Sequence, residues 1–203
     1  MNIKKISKNI CLLILFVACM VAGAGYLYEP ITETSHTVTL NKEIQDKVIK
    51  SSEKPYLVVK EQYPDIEYWI KIREKGAKSD EYFVDQPVMK NNNGFYLTHA
   101  YDGTPSKSGA LFFDPKTNFI YGHHMKNGTM FGQLESKRDD IDTIQIDKVY
   151  PDGSYSRKMY KVRYYCWWNA DEKENDFDYK INISLVTCSY GDNDRFSLEL
   201  DEI

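Results

Sequence analysis

The sequence predicts a mostly β domain, a barrel or a sandwich of short strands, with a helical approach and an apolar N-terminal run before it. Three observations carry this. Short apolar runs recur between turn-forming residues over most of the chain's second half and well before it. Tyrosine occurs 16 times, beside abundant valine, isoleucine and threonine, and such residues fit a pleated, half-buried surface. The 203 residues suffice for one domain of about 150 residues with a core of useful size, plus an appended segment.

Charge narrows the partners. The net charge is −4, and the first 28 residues hold Lys4, Lys5 and Lys8 without an acid. The remainder therefore carries −4 less those three positive charges, or −7. A nucleic-acid partner needs a basic face, so none is expected. The four cysteines are Cys11, Cys19, Cys166 and Cys188. They show no CxxC and no metal-like Cys/His spacing, which argues against a disulfide framework but leaves a Cys166–Cys188 pair open.

From Asn9 to Tyr28, 20 residues pass without a charge; as a helix they would span about 30 Å, the thickness of a bilayer core. The preceding lysines favour a cytoplasmic N-terminus, and Tyr26 and Tyr28 suit an interfacial belt. A retained single-pass anchor is the expectation. A cleaved signal peptide ending near Gly23-Ala24-Gly25 is the alternative, and acylation of Cys19 is disfavoured by Phe16. In either case the domain works outside the cytoplasmic membrane.

Segment 29–60 is polar, and Leu40–Ile49 has apolar residues at helical spacing, predicting a helix packed on the domain. Tyr63–Ile72 should begin as a short helix, with Pro64 in its first turn, and run into a strand. Strands are then expected at Tyr82–Val84, Val88-Met89, Phe95–Leu97, Ala110–Phe113 and Phe119–Tyr121. A hairpin joins Ile141–Val149 to Met159–Trp168 around Pro151-Asp152-Gly153-Ser154. Asp171–Asp178 is a charged loop, and no internal repeat is present.

The chemistry-bearing stretch is Ser184-Leu185-Val186-Thr187-Cys188. Its apolar alternation reads as a buried strand that delivers a thiol at its end. Arg195 opens the next alternating run, so a strand–loop–strand would hold sulfur and guanidinium on one rim, the setting a working thiolate needs. His123, at a strand end in Tyr121-Gly122-His123-His124, supplies a base with a pKa near physiological pH, and a short helix is expected near Phe131–Ser136. Singly, each residue has an ordinary explanation. A paired histidine is commonly structural or exposed, a buried cysteine is commonly inert, and an arginine on an edge strand is commonly a surface charge. His99 reads as structural, His36 as exposed, Asp192 and Asp194 as turn residues, and Met125, Met130, Phe131 and Trp167-Trp168 as packing.

Taken together, these motifs resemble the sortase family. Ser184–Cys188 is similar to its Thr-Leu-x-Thr-Cys signature, with Ser184 replacing the first threonine. Arg195 matches the arginine of the following strand, and Tyr121-Gly122-His123 the histidine motif. The continuation Met125–Phe131 resembles class B, as do Trp69-Ile70, Asp85–Val88, Tyr96-Leu97 and Gly109–Asp114 upstream. One departure is a short segment, about Asn169–Tyr179, where class B members carry a long helical insertion beside the substrate groove.

The resemblance implies a closed eight-stranded β-barrel with short flanking helices. It divides the chain into a cytoplasmic tail (1–8), an anchor (9–28), a stalk with its helix (29–60) and a catalytic domain (61–203). It further implies an extracytoplasmic cysteine transpeptidase without a metal or organic cofactor. Cys188 would be the nucleophile, His123 the acid/base and Arg195 the oxyanion donor, with Ser184, Thr187 and Tyr190 contacting substrate. The partners it implies are surface proteins with a C-terminal sorting signal and, as acceptor, a peptidoglycan amine or a pilin lysine. The class B resemblance suggests an Asn-Pro-x-Thr or similar signal, although a Leu- or Ser-led motif is equally compatible with the residues. Two other classes stand beside this reading: a cysteine peptidase or other cell-wall acyl transferase, and a non-catalytic tethered binding domain. A papain-like order puts cysteine before histidine, and here the histidine precedes by 65 positions. The presence of all three catalytic residue types argues against a decayed site.

Overall fold

A computed structural model of the chain describes residues 36–48, 54–90, 93–170, 182–188 and 194–203. The strands are β1 (Ile66–Glu74), β2 (Val84–Lys90), β3 (Leu111–Asp114), β4 (Phe119–Tyr121), β5 (Ile141–Val149), β6 (Tyr155–Asn169), β7 (Ser184–Cys188) and β8 (Asp194–Glu202). They close into a barrel in the order β1-β2-β3-β4-β7-β8-β6-β5. This is the mostly β, eight-stranded architecture expected. Two neighbour pairs, β2/β3 and β4/β7, are parallel, so each needs a long crossover rather than a hairpin. All other pairs are antiparallel.

The hydrophobic core includes the fully buried strand residues Trp69, Ile70, Ile72, Val88, Met89, Leu111, Ile120, Ile144, Leu185, Phe196, Leu198 and Leu200; adjacent members such as Trp69 and Ile70 lie on opposite faces of their strand, so the sheet is covered outside as well as filled within. Residues 36–48 form a helix, α1, whose Leu40, Ile44 and Val48 enter the same core. That i, i+4, i+8 spacing makes one apolar stripe. Two polar contacts fix its ends: the Thr37 and Ser108 hydroxyls meet at 2.8 Å, and Gln45 Nε2 donates to the Asp85 carbonyl. The segment is thus part of the domain's packing.

A short helix α2 (Leu57–Gln62) follows, and a buried carboxylate ties its N-terminal side to the barrel. Asp147, fully buried, accepts from Tyr56 Oη at 2.6 Å, from Gln145 Nε2 at 3.0 Å, and from Arg157 through two guanidinium nitrogens at 2.8 and 2.9 Å. A charge so buried is tolerable only when paired and saturated with donors.

Four local expectations need correction. The short helix precedes Pro64 instead of containing it, because the residue before a proline is pushed from the α region; Tyr63 sits at φ −127°, ψ 79°. Of the two short strands expected at Tyr82–Val84 and Val88-Met89, Tyr82 and Phe83 lie outside any strand, while Val84 and Val88-Met89 share one strand, β2, which begins at Val84 and runs through Pro87. Phe95–Leu97 is a 3-10 turn entered through Gly94 at φ 76°. Phe131–Ser136 forms consecutive turns, its entry set by Met130 at φ 54°. The N-terminal anchor and the 171–178 loop lie outside the described residues. Among the described residues, no helix is long and apolar enough to cross a membrane.

Ile44→Ala should lower unfolding free energy by about 2–5 kcal/mol, as removal of a buried isoleucine does. Urea denaturation of the two proteins measures it. A change within about 0.5 kcal/mol, typical of a surface site, would show that α1 does not share the core.

Candidate active site

The end of β4 and the end of β7 meet because the two strands run parallel, with Tyr121 beside Val186. One further backbone bond, from Gly122 N to the Val186 carbonyl at 3.0 Å, carries the chain to the rim. The next residue, His123, therefore emerges level with Cys188. Glycine is required at 122 because a Cβ there would lie 2.4 Å from Leu111 Cδ2 and 2.7 Å from Phe131 Cδ2. On its other side β7 pairs antiparallel with β8, setting Cys188 opposite Arg195. Three neighbouring strand ends thus bring histidine, cysteine and arginine to one rim of the barrel.

The His123 ring is held from two sides. Its Nε2 lies 2.7 Å from the Leu97 carbonyl; a carbonyl only accepts, so Nε2 carries a proton and Nδ1 is the nitrogen left to exchange one. The ring also hydrogen-bonds the Cys188 thiol. That bond is the largest influence raising the imidazole pKa above its ordinary value, against burial. The same bond is the largest influence lowering the Cys188 pKa, helped by the Arg195 charge and opposed by burial. Both shifts favour a thiolate–imidazolium pair, the reactive form for nucleophilic attack on a carbonyl. Arg195 is half-buried, and one of its nitrogens, Nη1, donates to the Asp194 carbonyl at 3.2 Å.

The three residues line a cleft of about 330 Å³ walled by Leu97, Ala110, Phe112, Tyr121, Val186 and Trp168. Thr187 lines it too, and its buried hydroxyl has no hydrogen-bond partner. Ser184 stands at the opposite end of β7, buried, and does not line this cleft. Tyr190 and Asp192 lie outside the described residues, and Asp194 opens β8. Cys166 and Cys188 are both free thiols, which settles the pairing left open by the sequence. Cys166 Sγ instead contacts Ser197 Oγ at 3.2 Å. Among the described residues, no cluster of three or more His, Cys, Asp or Glu could hold a metal ion.

His99 stacks on Phe95 with ring centroids 3.8 Å apart, as a structural histidine would, and His36 is exposed. Trp168 was expected as packing, yet it forms part of the cleft wall. Its position opposite Arg195 on β6 depends on a cross-strand register that no local motif reveals. His124 also reaches Cys188, through the backbone: its Nδ1 lies 3.0 Å from the Cys188 carbonyl.

A closed barrel thus carries a thiol, an imidazole and a guanidinium at one rim. No family model matches the chain. A 65-residue stretch is 34% identical to sortase B of Listeria monocytogenes serovar 1/2a, covering 28% of this chain and 26% of that protein. The fold is similar to that of Bacillus anthracis sortase B in complex with AAEK1, at TM-score 0.63 and 18% identity over 85% of this chain and 100% of the other. It is also similar to the Staphylococcus aureus sortase B–substrate complex, at TM-score 0.61 and 17% identity over 85% and 99% of the two chains. Clostridium perfringens sortase B aligns at TM-score 0.55 and 23% identity over 75% and 100%. The fold is thus that of class B sortases, and the resemblance carried by the motifs is supported by a local sequence relative and by the architecture of the described domain.

The thiol's titration can be read from the pH dependence of its alkylation by iodoacetamide. Since the imidazolium stabilises the thiolate, wild-type Cys188 should stay reactive to lower pH than an ordinary thiol of pKa about 8.5. In His123→Ala the profile should move to higher pH. Superimposable profiles would refute the ion-pair description.

Proposed function

We propose that the chain is an extracytoplasmic cysteine transpeptidase of the class B sortase type. The observation that carries this reading is the convergence of His123 and Arg195 on the Cys188 thiol at the floor of an apolar cleft. The Cys188 thiolate would attack the carbonyl of a threonine within a sorting signal, forming a C–S bond and a tetrahedral oxyanion. As the oxyanion collapses, the C–N bond breaks and the His123 imidazolium gives its proton to the departing amine. The thioacyl-enzyme then meets an acceptor amine, which loses its proton to His123 and expels the thiolate. Dividing the acyl transfer in this way replaces one high barrier by two lower ones.

Arg195 would donate hydrogen bonds to the oxyanion, where fixed donors act most strongly because charge develops there. The unpaired Thr187 hydroxyl suits a hydrogen bond to bound peptide, while Leu97, Tyr121 and Trp168 suit its apolar side chains. Substrates in this reading are surface proteins carrying a sorting signal of the Asn-Pro-x-Thr kind, joined to a peptidoglycan amine or a pilin lysine. The uncharged 9–28 run would tether residues 61–203 to the outer face of the membrane.

The test uses the full-length chain in detergent with quenched sorting-signal peptides, with and without an acceptor amine. Cleavage after threonine, with ligated product appearing only when amine is added, is expected. Cys188→Ala should abolish both, and Arg195→Ala should lower kcat by about 10²–10³-fold, as loss of an oxyanion donor does. Cleavage that survives in Cys188→Ala would overturn the reading, as would hydrolysis indifferent to every amine offered.

A further inference from the structure

The His123-His124 pair is only half used by the acid/base role. We propose that His124 is a positioning residue for the nucleophile, held by Glu135 and acting through the Cys188 main chain; this rests on the reading of Cys188 as the reactive thiol. The geometry follows from the barrel's parallel ladder. Gly122 N donates to the Val186 carbonyl, so in a strand that continued, the backbone N–H of residue 124 would serve the Cys188 carbonyl two positions on. The chain instead turns away at His123, whose carbonyl accepts from Met125 N and Phe131 N, both at 3.1 Å. The His124 side chain fills the place the backbone vacates, its Nδ1 lying 3.0 Å from the Cys188 carbonyl.

A carbonyl only accepts, so Nδ1 must be the protonated nitrogen. Glu135 stands beside it, with Oε2 4.0 Å from the same nitrogen. The pair is sheltered, the side chains being 11% and 13% exposed. Glu135 is fixed in turn: Trp167 Nε1 donates to its Oε1 at 2.8 Å, and Arg138 Nη1 donates to its main-chain carbonyl at 2.8 Å. The Arg138 guanidinium lies 5.2 Å from the Tyr165 ring centroid and 5.5 Å from that of Trp167. A continuous set of contacts therefore runs from β6 through Glu135 and His124 to the last residue of β7. With that carbonyl fixed, the Cys188 side chain is aimed at His123 and Arg195; with it released, the strand end is free to rotate the sulfur away.

Wild-type chain and three variants test this at full length: His124→Leu, His124→Asn and His124→Gln. Asparagine sets an amide N–H close to where Nδ1 stands, glutamine sets it farther out, and leucine has none. The rate of Cys188 alkylation at neutral pH should fall by about tenfold for each pKa unit by which the thiol rises in the Leu and Gln variants. The Asn variant should keep most of the wild-type rate. Nitrogen-15 spectra of the wild-type ring should show Nδ1 protonated. Leu alkylating like wild type, Asn as slow as Leu, or a bare Nδ1 would each overturn the proposal. Should His124→Leu fail to fold, Asn against Gln decides in the same way. These readouts report on the thiol and the ring, so a chain that passes them but cleaves no sorting peptide would defeat the proposed transpeptidation and leave this inference standing.

Discussion

The parallel pairing of β4 with β7 is the constraint on which the site depends. The short β4 strand, Phe119–Tyr121, aligns with Ser184–Val186 and so fixes where each chain leaves the sheet. A slip of one residue would invert every side chain of the strand, turning Ile120 out of the core and misdirecting the rim. That register is enforced by burial, since Ile120 and Leu185 are both fully enclosed. The same pairing delivers both histidines, one to the sulfur of Cys188 and the other to its carbonyl. Hydrophobic packing inside the barrel is thereby converted into placement of reactive groups at its edge.

Electrostatics at that edge involves a contest. Enclosure in an apolar cleft disfavours a thiolate, and the hydrogen bond from His123 with the Arg195 charge favours it; the second pair of effects prevails for Cys188. His123 shows the reciprocal balance, its bond to the thiol outweighing burial. Elsewhere the fold handles buried charge differently. Asp147 is locked by a bidentate arginine and two neutral donors, a saturated arrangement suited to holding α2 against the barrel rather than to exchanging protons.

Much of this was legible in the sequence, for reasons specific to each element. Apolar residues located β7 and β8, although both strands are buried on both faces over Ser184–Thr187 and Phe196–Leu198, and the hairpin of β5 and β6 was evident from its Pro-Asp-Gly turn. The Leu40/Ile44/Val48 stripe foretold a packed helix. Boundaries failed where local sterics overrode composition. Pro64 ended a helix that its neighbours seemed to begin, Gly94 converted an apolar run into a 3-10 turn, and Met130 at positive φ opened a series of turns where a helix was expected. Within the site, Cys188, Arg195 and His123 were visible through motif order. Trp168 and His124 were not, because the position of each is set by a partner distant in sequence: Arg195 across the sheet for Trp168, and a carbonyl 64 positions away for His124.

In the proposed reaction Cys188 carries the acyl group between donor and acceptor. Intact-mass spectrometry of the full-length chain, quenched in acid shortly after a sorting peptide is added, addresses it directly. The expected species is enzyme plus the peptide portion ending in threonine, mapped by digestion to Cys188 and discharged when an amine is supplied. An adduct mapped to Cys166, or one that forms equally in Cys188→Ala, would contradict the account.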